Sequence, residues 1–280
     1  MPQHPAIAPG RVAVVTGGAS GIGIAAAKRY HGLGMKVAVA DLDDGDLARA
    51  AKEISSDGGA EVLTVATDVS RKEDVERLKA KVYDTFGEVA VLMNNAGTGK
   101  GGGPFENYEG WQRVIGTNLW GVINGVQVFA PAMIAQGTDA AIVNTGSKQG
   151  ITTPPGDTAY NVSKAGVKVV TEGLQHVLRN TPGCKVSAHL LVPGWVHTGL
   201  TARQGAEKPD GAWWPDQAID MLLERMGAGD FYIVCPDNEV TSEIDAKRIA
   251  WAAGDIAENR PPLSRWHPDY KDAFAAFLKA

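Results

Sequence analysis

A run of β-branched and small apolar residues at positions 11–16 gives way to Gly17-Gly18-Ala19-Ser20-Gly21-Ile22-Gly23, after which apolar residues recur at helical spacing. Strand, glycine loop and helix in that order admit few folds. The glycines let the backbone turn tightly and approach a pyrophosphate, and the N–H groups and dipole of the next helix stabilise its charge. Gly17, Ser20, Gly21, Ile22 and Gly23 thus form a candidate phosphate cradle. The next apolar run, 36–40, ends in Asp41-Leu42. An acidic side chain at that place accepts hydrogen bonds from the adenosine ribose hydroxyls, which predicts NAD. A 2′-phosphate would require a basic residue there, and Ser20 and Leu42 supply none.

The rest of the chain keeps the alternation. Apolar runs at 61–66, 89–93, 140–145, 185–192 and 231–235 read as strands, and 22–33, 43–57, 71–86, 107–136, 158–180 and 216–226 as helices. The expected fold class is α/β, a Rossmann-type doubly wound parallel sheet of about seven strands with helices on both faces. One domain is expected over 12–236, preceded by a flexible leader, 1–11, and followed by a helical extension, 237–280. The extension carries amphipathic patterns at 242–253 and 267–278 around Pro261-Pro262, and Phe274, Phe277 and Leu278 need a surface to cover. A lid over the site and a subunit contact are the two candidates, with the contact preferred.

Tyr160-Asn161-Val162-Ser163-Lys164 opens the helix at 158–180. Residues i and i+4 share a helix face, so Lys164 can stand beside Tyr160 and stabilise its phenolate, lowering a pKa of about 10 toward neutrality. A base that removes an alcohol proton next to a dinucleotide cradle implies hydride transfer.

With both ends in view, the chain resembles the short-chain dehydrogenase/reductase family. Thr16-Gly-x-x-x-Gly21-x-Gly23 matches its cofactor loop and Tyr160-x-x-x-Lys164 its catalytic pair. Asn94-Asn95-Ala96-Gly97 resembles the segment closing its fourth strand, Ser147 precedes Tyr160 at that family's distance, and Asn118 falls on its catalytic asparagine. The resemblance implies that Ser147 orients the substrate oxygen and that Asn118 holds a water beside Lys164 in a proton relay. It also implies that Asp68 and Val69 lie near the adenine, that Asn95, Ala96 and Gly97 border the cofactor, and that Pro193, Gly194, Val196 and Thr198 fix the nicotinamide. Asp68 has a second reading as a helix N-cap. The sequence departs from the family at Gly146, where a second serine is frequent, and at Lys148. A solvent-directed lysine is the favoured reading there; turned inward, it would favour an anionic or carbonyl-rich substrate.

Trp195, Trp213 and Trp214 are the candidate walls of a pocket for a bulky apolar or aromatic alcohol or ketone. His197 is read as a packing or surface residue. The glycines and Pro131 within 107–136 are expected to allow close packing, with a second subunit as one partner. Residues 98–104 are expected to form a mobile loop.

A net charge of −5 and a pI near 5.7 argue against nucleic acid as a partner. Two cysteines make no disulfide framework, and the six histidines show no metal-ligand spacing. No signal peptide or membrane-length run is read, so a cytoplasmic homo-oligomer acting on a small molecule is expected. The alternatives are an NADP-dependent carbonyl reductase of the same fold and a catalytically silent dinucleotide-binding scaffold.

Overall fold

The structure is a computed structural model and describes residues 3–56, 58–202 and 206–279. Asp57, the expected end of the second helix, and residues 203–205 of the substrate-side stretch lie outside them. The elements run β1 (Val12–Thr16), α1 (Gly21–Gly32), β2 (Lys36–Asp41), α2 (Asp44–Ile54), β3 (Val62–Ala66), α3 (Lys72–Phe86) and β4 (Val91–Asn94). Then come α4 (Tyr108–Ile115), a π-helical turn (Gly116–Trp120), α5 (Gly121–Ala135), β5 (Ala140–Thr145), α6 (Gln149–Thr152) and α7 (Thr158–Asn180). β6 (Val186–Val192), α8 (Pro215–Gly227), β7 (Tyr232–Val234), α9 (Ser242–Ala257) and α10 (Lys271–Lys279) complete the chain. The strands form one parallel sheet in the order β3-β2-β1-β4-β5-β6-β7. The order reverses between β1 and β4, and such switch points open a crevice at the carboxyl ends of the strands.

Period-two alternation divides the core. Ala13 and Val15 of β1 join α1 and α8 in one layer, whereas Val12 and Val14 join α3, α5 and α7 in the other. Because both faces are covered, β1, β4 and β5 are buried throughout, which explains their continuous apolar sequence. Tyr108–Ala135 is long and apolar enough by composition to cross a membrane, contrary to the reading that no run is. Half of its most apolar window is packed inside the molecule, where α5 meets α3, β4 and β5.

Several expectations need correction. The segment before β1 is tied to the sheet: Ala6 and Ile7 are buried in the core, and His4 Nε2 lies 3.1 Å from Ser187 Oγ. The helix at 107–136 is divided by the π turn. Its glycines pack within the chain, since a Cβ on Gly121 would meet Val69 and one on Gly125 the Asn94 side chain. In α10, Phe274 and Phe277 each lie with ring centroids 5.2 Å from Trp251 of α9, and Phe277 stays partly exposed.

Candidate active site

The glycine loop leaves β1 with Gly17 at φ +61 and Gly21 at φ +53, backbone that L side chains rarely adopt. A Cβ on Gly17 would stand 2.7 Å from Ala96 Cα, and one on Gly23 only 2.0 Å from the Gly17 carbonyl oxygen. Close backbone packing therefore requires glycine at both places. At the start of α1, Ser20 makes no side-chain cap and the first turn carries no acidic residue. The positive end of this helix is thus left for an external anion, and the cradle fits a dinucleotide pyrophosphate. Asp41 ends β2 with Oδ2 accepting from Ala19 N at 3.0 Å and Oδ1 from Leu42 N at 2.8 Å. The carboxylate is held at the rim by backbone, with lone pairs left over.

Thr16 knits the switch point. Its hydroxyl accepts from Asn95 N at 3.0 Å and Ala96 N at 3.2 Å, while Asn95 Nδ2 donates to the Thr16 and Gly17 carbonyls. A cleft of about 530 Å³ opens above these strand ends. Gly17, Ser20, Gly21, Ile22, Asp41, Leu42, Asp68, Val69, Asn95, Ala96, Gly97, Pro193, Gly194, Val196 and Thr198 line it, together with Ser147, Tyr160 and Lys164. Gly23 lies behind the lining. Asp68 does not cap α3, whose N-cap is Arg71; its Oδ1 instead accepts from the Ser70 amide and hydroxyl.

Tyr160 and Lys164 stand on the first turns of α7, where Asp157 caps by accepting from Tyr160 N at 3.1 Å. Lys164 Nζ sits 5.7 Å from the Tyr160 ring centroid and donates to the Thr145 carbonyl at 2.8 Å, a bond that holds the helix against the end of β5. Ser147 and Tyr160 line the same end of the cleft, and the Ser147 hydroxyl accepts from Gln149 N at 3.2 Å. Contrary to the expected lowering by Lys164, burial pushes the Tyr160 phenol above its ordinary value, the Ser147 hydroxyl pulls it back, and the charge of Asp157 adds to the rise. Burial alone lowers Lys164 to about 8. Asn118 lies in the π turn, fully buried, with Oδ1 accepting from Thr98 N at 2.7 Å and Nδ2 donating to Thr98 O and Ser163 Oγ. It makes no direct bond to Lys164; the two flank Gly97. Single π turns recur at functional sites, and nothing in residue spacing marked this one.

The remaining candidates lie elsewhere. Lys148 is neither solvent-directed nor in the cleft: Nζ is 2.6 Å from Asp245 and 3.5 Å from Asp237, both on the C-terminal extension. Trp195, Trp213 and Trp214 do not line the cleft. Trp213 bridges Val196 and packs on the core. Trp214 precedes α8, half-exposed between His197 and Lys208. Trp213 and Trp214 thus find other partners, and Trp195 is partly exposed. At Gly146 a Cβ would press within 3.1 Å of Leu190 Cδ1, so the second serine would crowd this sheet.

Residues the spacing did not mark complete the walls: Arg113, Thr117, Thr145 and Gly199-Leu200-Thr201 line the cleft. Asp157 also accepts from Gly101 N and Gly102 N, and Lys100 O accepts from Asn107 and Arg113. The 98–104 loop is therefore bonded to the catalytic helix and to α4. No described residue beyond Thr201 lines the cleft, so the extension does not close over it here.

A sequence model of the short chain dehydrogenase family matches residues 11–209. The chain belongs to that family. It is 36% identical over 230 residues to a 1-deoxy-11-beta-hydroxypentalenate dehydrogenase of Streptomyces exfoliatus, covering 80% of this chain and 82% of the relative. A Burkholderia phymatum short chain dehydrogenase/reductase solved with NAD superposes with a TM-score of 0.82 at 35% identity, over 91% of this chain and 97% of the other. A metagenomic short-chain oxidoreductase solved with NADP does so with a TM-score of 0.68 at 28% identity, over 82% and 98%. This short-chain dehydrogenase is thus an oxidoreductase with an NAD(P)-binding Rossmann fold that acts on a small molecule.

Proposed function

We propose that the protein is an NAD-dependent oxidoreductase interconverting a secondary alcohol and a ketone. The observation that carries the reading is Ser147, Tyr160 and Lys164 lining one cleft, with Lys164 Nζ 5.7 Å from the tyrosine ring and the glycine loop and Asp41 in the same cleft. The relative named for a hydroxypentalenate supports an alcohol as donor.

The nicotinamide, when bound, supplies the hydride acceptor or donor. Tyr160 removes the proton of the alcohol hydroxyl, and Ser147 donates to the same substrate oxygen, fixing its distance from the phenol. Lys164 holds positive charge beside Tyr160 and favours its phenolate. Asn118 and Lys164 flank Gly97, whose missing side chain leaves room for a water that passes the proton outward. Ketone reduction uses the same groups in reverse. Asp41 accepts from the adenosine ribose and repels a 2′-phosphate. Arg49 reaches the loop through the Ala19 carbonyl at 2.9 Å, but Asp46 and Glu53 already pair with it, so it leaves the preference for NAD in place.

With the tryptophans outside the cleft, the expectation of a bulky aromatic substrate loses its ground; on the stretch after β6, Pro193, Val196 and Leu200 are the apolar groups that line it. The test is reduced-nicotinamide absorbance with NAD and with NADP over a panel of aliphatic and alicyclic secondary alcohols and the matching ketones. Turnover with NAD in preference to NADP is expected. Preference for NADP would remove the cofactor assignment, and NAD binding without turnover of any alcohol or ketone would favour the scaffold.

A further inference from the structure

Behind the Ser147 loop, where α6 meets α9, a second cavity of about 40 Å³ is walled by Lys148, Thr152, Asp245, Arg248 and Arg265. That is room for roughly three waters, or one small polyatomic ion. Lys148 has its counter-charge, lying 2.6 Å from Asp245 and 3.5 Å from Asp237. The two arginines feel the charge of Asp245 but make no direct pair with it. Among the described residues neither guanidinium has a hydrogen bond or an ion pair, and Arg248 Nε is buried without an acceptor. Arg265 lies with its guanidinium carbon 4.7 Å from the Trp266 ring centroid and 5.4 Å from that of Phe274. Such contacts engage the face of a guanidinium and leave its in-plane N–H donors open. Burial and the charge of Arg248 both weaken the hold of Arg265 on its proton, and Asp245, already paired with Lys148, offsets them only in part.

We propose that this cavity binds a small oxyanion, held between the N–H donors of Arg248 and Arg265. Planar guanidinium forks match tetrahedral oxyanions and carboxylates, and a charge-assisted bond satisfies the buried Nε. Both inorganic oxyanions and the carboxylate of a small acid share this chemistry. The occupant would sit on the C-terminal extension and beside Lys148, the neighbour of Ser147, so its charge would compete with Asp245 for that lysine. The proposal does not depend on the alcohol dehydrogenase reading.

The full-length protein is titrated calorimetrically with inorganic phosphate, sulfate and acetate at constant ionic strength, with and without saturating NAD. NAD is included because the glycine loop is itself an anion site. Binding that persists under NAD and weakens about tenfold or more in Arg248→Gln and in Arg265→Gln is expected. Phosphate against acetate separates a tetrahedral ion from a carboxylate. Binding abolished by NAD and indifferent to both substitutions overturns the site, as does no binding of any of the three. Should a variant fail to fold by circular dichroism, anomalous diffraction from wild-type crystals soaked in selenate decides. A peak between the two arginines upholds the site, and its absence removes it.

Discussion

The cofactor wall of the cleft and the region flanking its substrate side are built differently. The cofactor wall, from Gly17 through Asp41 to Gly97, is made of backbone and short polar side chains fixed within a few residues of strand ends. The second, where the substrate side was expected, holds long side chains just outside the cleft, Lys148 and Trp214, that find partners across the fold. On the first wall, neighbours along the chain dictate position: Gly23 faces the Gly17 carbonyl, and Asp41 takes the Ala19 and Leu42 amides. On the second, Lys148 turns to Asp245, distant in sequence, and Trp214 to His197 and Lys208. Function written in local spacing is readable; function resting on long-range partners is not.

The strongest way to break this contrast is to alter a position whose role spacing alone assigned. Tyr160→Phe keeps the ring and its packing but removes the phenol, and alcohol oxidation should fall by about 10²–10⁴-fold with NAD binding unchanged. A variant oxidising alcohol at the wild-type rate would end the assignment. In the wild type the oxidising base is the phenolate, and burial raises the phenol. Oxidation should therefore accelerate as pH rises toward the Tyr160 value, whereas reduction, which needs the neutral phenol, should slow. A rate–pH profile that falls for oxidation over that range would assign the proton to another group.

Gly23→Val tests the cofactor wall by volume. The added carbon would lie 2.0 Å from the Gly17 carbonyl, so the loop must move. NAD affinity should drop by about tenfold or more, and the melting temperature should fall with it, since overpacking a tight site costs about 1–3 kcal/mol. Calorimetric NAD binding equal to wild type would show that the loop gives way without loss. Asp41→Asn is gentler, because the amide still accepts from Ala19 and can still hydrogen-bond a ribose hydroxyl. What it loses is repulsion and, having one acceptor oxygen, the bond from Leu42 N. The ratio of kcat/KM for NAD over NADP should shrink by roughly tenfold, about 1.4 kcal/mol. An unchanged ratio would pass discrimination to Arg49 or another group.

Sheet order, the glycine cradle and the placement of Ser147, Tyr160 and Lys164 in one cleft were legible because each follows from a period or a spacing. Ser147 ends up in the cleft with Tyr160 since β5 and α7 are neighbours joined by a short connection. The π turn around Asn118 was not legible, because nothing in the spacing of Gly116–Trp120 separates a π turn from an α turn, and the bonds of Asn118 go to Thr98 and Ser163 on other segments. The bonded state of the 98–104 loop was hidden for a related reason: glycines advertise freedom, and the Asp157 carboxylate that takes their amides lies on another element. The packing of Ala6 and Ile7 was missed because three prolines mask a short apolar pair.

The smallest effect belongs to the tryptophans and decides whether the second region is structural. Trp214 is half-exposed, edge-on to His197 with centroids 5.4 Å apart and 5.7 Å from Lys208 Nζ, and no part of it lines the cleft. Trp214→Leu keeps an apolar group at the start of α8 while removing the aromatic edge contact and the cation–π contact. Each such contact contributes about 0.5–1.5 kcal/mol. The melting temperature should therefore fall by a few degrees, and KM for the alcohol should stay within about twofold of wild type. A large rise in KM at unchanged stability would return Trp214 to the substrate pocket. It would mean that the region after β6 rearranges around a bound substrate, and the contrast between the two regions would then belong to the ligand-free chain alone.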